Sequence, residues 1–113
     1  MSVTIYHNPK CSKSRQTLGL LQEKGIDLDI VEYLTNPPSV AELKRVLGML
    51  GKGPRDILRK KEAANAGLND ASLSDDDLIE RMVANPIVIE RPIVVTGNKA
   101  ALGRPPECVL EIL

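Results

Sequence analysis

Val3-Thr4-Ile5-Tyr6-His7-Asn8-Pro9-Lys10-Cys11-Ser12-Lys13-Ser14-Arg15 is the stretch on which the fold is decided. Its first five residues are β-branched, aromatic or strand-compatible, so they predict a short strand. Asn8-Pro9 marks a turn. From Ser12 to about Lys24 the pattern becomes helical, with Leu18 and Leu21 three apart and Gly25 placed to end the helix. Leu28–Tyr33 reads as a second strand. The chain therefore opens as strand, helix, strand, with a cysteine where the helix begins.

Downstream the pattern turns helical. Ser39-Val40-Ala41-Glu42 is a capping-box signature, and Val40, Leu43, Leu47 and Leu50 follow it at helical spacing. Pro54–Lys61 predicts a shorter helix with proline in its first turn. Ser74 followed by Asp75, Asp76 and Asp77 predicts a helix start, because carboxylates favour the positive N-terminal end. Leu78, Ile79, Met82 and Val83 supply that helix's apolar stripe, and Asn85-Pro86 stops it. Ile93–Thr96 and Lys99–Leu102 read as two strands joined at Gly97-Asn98, a hairpin turn. Pro105-Pro106 then opens a last helix, with Val109, Leu110 and Leu113 facing the core. The order is βαβ, a helical insertion over about residues 39–85, then ββα. That is an α/β chain with a thioredoxin/glutaredoxin-like layout, expected to form a single domain over residues 1–113.

Bulk composition narrows the function. Fifteen basic and fifteen acidic residues cancel, which argues against a polyanion such as duplex DNA as partner. Tyr6 and Tyr33 are the whole aromatic complement, too few for a base-stacking platform. Glu90 and Arg91 break the longest apolar candidate, so no membrane span is expected. The first residues carry no basic-then-apolar leader, and the expected location is cytoplasmic. Two cysteines, Cys11 and Cys108, lie far apart and match no metal-ligand spacing, so no metal is expected.

Cys11 carries the chemistry. A helix N-terminus offers unpaired N–H groups and partial positive charge, which favour a thiolate and an oxyanion beside it. Lys10, Lys13 and Arg15 share the turn and are expected to lower the thiol pKa. Buried inert cysteines are the commoner kind, but they do not usually sit among three cations. Ser14 makes the motif Cys-x-x-Ser, which has no local resolving thiol. Its hydroxyl either donates to the thiolate or serves the helix start. His7 either orients the thiolate or an anion, or is an ordinary strand-end histidine. Cys108, beside Val109, reads as core. Three residues separate Cys11 from Arg15, fewer than a phosphatase-type loop needs.

His7 to Arg15 resembles the active-site turn of the glutaredoxin-linked arsenate reductases. So do Tyr33-Leu34 with Asn36-Pro37-Pro38, Leu58-Arg59-Lys60, Glu90-Arg91-Pro92-Ile93-Val94-Val95 and Gly103-Arg104-Pro105-Pro106. The resemblance covers nearly the whole chain in order. Ser12-Lys13-Ser14 stands where the best-known members have Gly-Thr-Ser, which suggests a side branch.

The resemblance implies a thioredoxin-like fold, a cis Arg91–Pro92 bond, and Arg59, Arg91 and Arg104 as the anion-binding arginines. It also implies reduction of arsenate to arsenite at Cys11, with glutathione as co-substrate and glutaredoxin as partner. Arginine suits that task, because planar guanidinium groups bind tetrahedral oxyanions through forked, charge-assisted bonds. Arg91 and Arg104 each precede a proline, which restricts their backbone. Arg59, in Arg59-Lys60-Lys61, reads on its own as a solvated helix face, and only the resemblance makes it a ligand. Three other readings of the same residues are a redox-sensing regulator that binds RNA polymerase, a monothiol glutaredoxin-like oxidoreductase, and simple anion binding without chemistry.

Overall fold

A computed structural model describes residues 3–68 and 70–113. The chain divides into two compact units, one of residues 1–36 and 91–113, the other of residues 37–90.

The first unit is built on four strands, β1 (Val3–His7), β2 (Leu28–Glu32), β3 (Ile93–Thr96) and β4 (Lys99–Leu102), in the order β2-β1-β3-β4. Helix α1 (Ser12–Glu23) connects β1 to β2, which lie parallel. Parallel neighbours need such a crossover, because a tight turn can join only antiparallel strands. β3 runs antiparallel to both β1 and β4. This is the thioredoxin-like α/β arrangement expected from the pattern.

Gly25 ends α1 in the left-handed region at φ 67°, where a Cβ would be strained. Gly97 takes φ 57° at the first position of the two-residue β3–β4 turn, as in a type II′ hairpin. The core joins Val3 and Ile5 from β1, Leu21 from α1, Val94 from β3 and Val109 near the C-terminus. Ile5, Leu21, Val94 and Val109 are fully buried, and each such side chain contributes about 1.5–3 kcal/mol relative to exposure.

Residues 106–112 depart from expectation. They form a 3₁₀ helix, Pro106–Ile112, instead of an α-helix. Its three-residue period aligns Pro106, Val109 and Ile112 on one side. Pro106 and Val109 are buried and Ile112 packs on the core, while Leu113 is left exposed. Cys108 falls off that side and is half-buried, so it is not the core residue the α-helical spacing suggested.

The second unit holds α2 (Val40–Leu50), α3 (Lys60–Asn65) and α4 (Asp75–Ala84). The two expected serine caps are present. Ser39 Oγ accepts from the Glu42 N–H and Ser74 Oγ from the Asp77 N–H, each at 3.1 Å. Such caps are worth about 1 kcal/mol each. The three aspartates Asp75–Asp77 occupy the first turn of α4, where helix polarity favours them. The helix expected over Pro54–Lys61 is split instead. Pro54–Ile57 is a 3₁₀ turn, Leu58 is extended, and α3 starts at Lys60. The cause is a bridge between Leu58 and Ile89. Glu90 N–H donates to the Ile57 carbonyl at 2.7 Å and Arg59 N–H to that of Val88 at 2.8 Å. Among the described residues no helix is long and apolar enough to cross a membrane.

Candidate active site

Asn8 builds the turn that presents the thiol. Its carbonyl accepts from Cys11 N–H at 3.0 Å, and its side-chain Oδ1 accepts from Lys10 N–H at 3.0 Å. Asparagine followed by proline suits these roles, since the amide mimics a backbone turn and proline presets the next φ. Asn8 N–H in turn donates to Ser14 Oγ at 3.0 Å. Three of its polar groups are thus spent on holding one loop.

Cys11 occupies the N-cap of α1 with an extended backbone, φ −97° and ψ 124°, and is buried. Burial pushes its thiol pKa up. The Ser14 amide, the charge of Arg91 and the Lys13 amide push it down and outweigh burial, so it lies below the ordinary thiol value. The thiol makes no cap bond of full hydrogen-bond geometry; the amides act on sulfur as the positive end of the helix. Lys10, Lys13 and Arg15, expected to supply the charge, point into solvent. Water screens such exposed groups, and the cation acting on sulfur is the half-buried Arg91.

Ser14 is fully buried, and its hydroxyl is not on the sulfur. It lies 2.7 Å from His7 Nδ1 and accepts from Asn8 N–H. What Ser14 gives the thiolate is its backbone N–H, beside that of Lys13. Burial lowers the His7 pKa, against an opposing pull from Glu32. A neutral His7 can accept the Ser14 hydroxyl proton at Nδ1. His7, Asn8 and Ser14 therefore form one buried cluster behind the cysteine.

The β3–β4 register brings two of the three expected arginines together. Ile93 pairs with Leu102, and continuing the ladder sets Pro92 against Gly103 and Arg91 against Arg104. Gly103 N–H donates to the Pro92 carbonyl at 2.9 Å, and Arg104 Nε to that of Arg91 at 2.8 Å. Arg104 Nη2 lies 4.0 Å from Cys11 Sγ. The Arg91–Pro92 bond is cis, as the resemblance implied, and so is Arg104–Pro105. Arg59 belongs to the second unit, where Nη1 donates to the Ile87 carbonyl at 3.1 Å and Nη2 meets Glu62 Oε2 at 2.8 Å. Asn8 shapes the site and was missed as a site residue in the sequence. Asn8 was readable as a turn former, but its contact with Ser14 was not.

A low-pKa thiol beside two guanidinium groups can attack an electrophilic centre that carries negative oxygens. The chain is 52% identical over 98% of its length to an uncharacterized protein, YfgD, of Escherichia coli, 96% of which is covered. It is 48% identical to an arsenate reductase of Haemophilus influenzae, with the whole of both chains covered. The solved structure of an arsenate reductase from Vibrio cholerae superposes with a TM-score of 0.93 at 54% identity, over 100% of this chain and 98% of that one. Residues 6–112 match the ArsC family, and the chain belongs to that family.

Proposed function

We propose that this protein reduces arsenate to arsenite, with Cys11 as nucleophile and Arg91 and Arg104 holding the oxyanion. The observation that carries the reading is the Cys11 thiol, lowered in pKa against its burial by the Ser14 amide and Arg91, and 4.0 Å from Arg104 Nη2. Relatives that bear the name arsenate reductase, matched along the full chain, support it. Arg59 is engaged by Ile87 and Glu62, so the proposal rests on the other two arginines.

The thiolate displaces one arsenate oxygen, which leaves as water after protonation, and an S–As(V) bond forms. The arginines stabilise the remaining oxygens as charge shifts. Glutathione displaces a second oxygen. A glutaredoxin thiol then attacks the glutathione sulfur, and the electron pair of that S–As bond passes to arsenic. A mixed disulfide leaves, and hydrolysis of the Cys11–As(III) bond releases arsenite and the thiol. Ser14 cannot act as a resolving thiol, which favours external donors. The reaction suits the cytoplasm, where glutathione keeps thiols reduced.

The test is arsenite release from arsenate with glutathione and glutaredoxin, each omitted in turn. Release that needs both donors is expected. Release sustained by another thiol donor alone would overturn the donor assignment. Polymerase capture without turnover would favour the regulator, and turnover of a glutathionylated disulfide alone the monothiol oxidoreductase.

A further inference from the structure

Gly103 packs where no side chain fits. A Cβ built there would stand 2.5 Å from Thr17 Oγ1, 2.7 Å from Pro92 Cγ and 3.2 Å from Pro92 Cδ. Neither neighbour can move aside easily. Thr17 is fully buried in α1, its hydroxyl donating to the Lys13 carbonyl at 2.9 Å. Pro92 is buried and has a rigid ring. The left-handed backbone is not the reason for glycine here, because Gly103 is not among the positive-φ residues. The reason is close approach. α1, which carries Cys11, and β3, which follows Arg91–Pro92, both come against the backbone at Gly103.

We propose that Gly103 is a positioning residue: its missing side chain seats the segment bearing Arg104 against Thr17 and Pro92, and so sets both arginines relative to the Cys11 sulfur. Three contacts carry the inference. Gly103 N–H bonds the Pro92 carbonyl, Arg104 Nε bonds the Arg91 carbonyl, and Arg104 Nη2 reaches towards Cys11 Sγ. Any outward shift at Gly103 is transmitted to its neighbour Arg104. Site geometry is unforgiving: a misplacement of about 1 Å can cost on the order of a hundredfold in rate. The proposal deepens the oxyanion reading, on which the role of the arginines rests.

The experiment compares wild type, Gly103→Ala, Thr17→Ala and the double variant, each checked for folding by circular dichroism. One readout is the pH midpoint of Cys11 alkylation; the other is protection of Cys11 by sulfate. Thr17→Ala removes the nearer obstacle and should keep a midpoint close to wild type. Gly103→Ala should raise the midpoint and weaken sulfate protection by about tenfold or more. The double variant should fall between them. If Gly103→Ala does not fold, the double variant is judged against Thr17→Ala, with a higher midpoint expected. A folded Gly103→Ala, or in its absence the double variant, with reference midpoint and protection overturns the proposal. Absence of sulfate protection in wild type would instead sink the oxyanion reading, while the order of midpoints would still judge Gly103.

Discussion

Arg104 donates from Nε to the backbone carbonyl of Arg91 at 2.8 Å, so one of the two arginines proposed to hold the oxyanion is anchored on the backbone of the other. The bond follows from hairpin register, since Thr96 pairs with Lys99 across the Gly97–Asn98 turn and the same register, continued past Ile93–Leu102, sets Arg91 opposite Arg104. The bond uses Nε of Arg104, and Nη2 of the same side chain lies 4.0 Å from the Cys11 sulfur.

Replacing either arginine with lysine is therefore expected to be costly. A lysine at 104 has neither the Nε anchor nor the forked donors. Loss of one charge-assisted contact should cost about 1.5–3 kcal/mol, roughly ten- to a hundredfold in kcat/KM for arsenate. Steady-state kinetics on Arg91→Lys and Arg104→Lys check this. Full activity in both would remove the arginines from the site.

Cys11 should react as a thiolate below the pH at which an ordinary thiol does. Burial opposes this, while the Ser14 amide and Arg91 favour it. The alkylation rate should rise with pH to a midpoint below the free-thiol value of about 8.5. Arg91→Gln should move that midpoint upward, because it removes the charge and leaves the burial. An unchanged midpoint in Arg91→Gln would assign the effect to the helix terminus alone.

His7 and Ser14 yield a stability prediction with a definite sign. The folded His7 pKa lies below the unfolded one, so the unfolded state binds the proton more readily. Stability is then complete above the unfolded value, near 6.5, and falls as pH drops below it towards the folded value. His7→Gln should flatten that part of the Tm–pH curve. Ser14→Ala leaves the buried Asn8 N–H without its acceptor and should cost about 1–3 kcal/mol in urea unfolding. Its alkylation midpoint should move little, since it is the Ser14 backbone N–H, not the hydroxyl, that acts on sulfur.

Local signals made much of this legible. Proline, glycine and capping serines marked β1, α1, α2, α4 and the hairpin close to where they lie. The Arg91–Arg104 pairing was not read from the sequence, although it follows once the hairpin register is continued along both strands. What could not be read depended on contacts distant in sequence. Leu58 left its helix for a bridge to Ile89. Ser14 turned its hydroxyl to His7 and not to sulfur. Exposure removed the Lys10, Lys13 and Arg15 charges from the thiol, and a glycine without positive φ gave no sign that Thr17 and Pro92 crowd it.

Arsenite production by wild type and Cys11→Ser, with arsenate, glutathione and glutaredoxin, tests the assignment of Cys11 most directly. Serine keeps the size and the turn but loses the thiolate, and Cys108→Ala serves as a control for the half-buried second thiol. Arsenite should form with wild type and Cys108→Ala at similar rates, and stay at the enzyme-free level with Cys11→Ser. Arsenite from folded Cys11→Ser at the wild-type rate, or none from wild type, would contradict Cys11 as the nucleophile of an arsenate reductase.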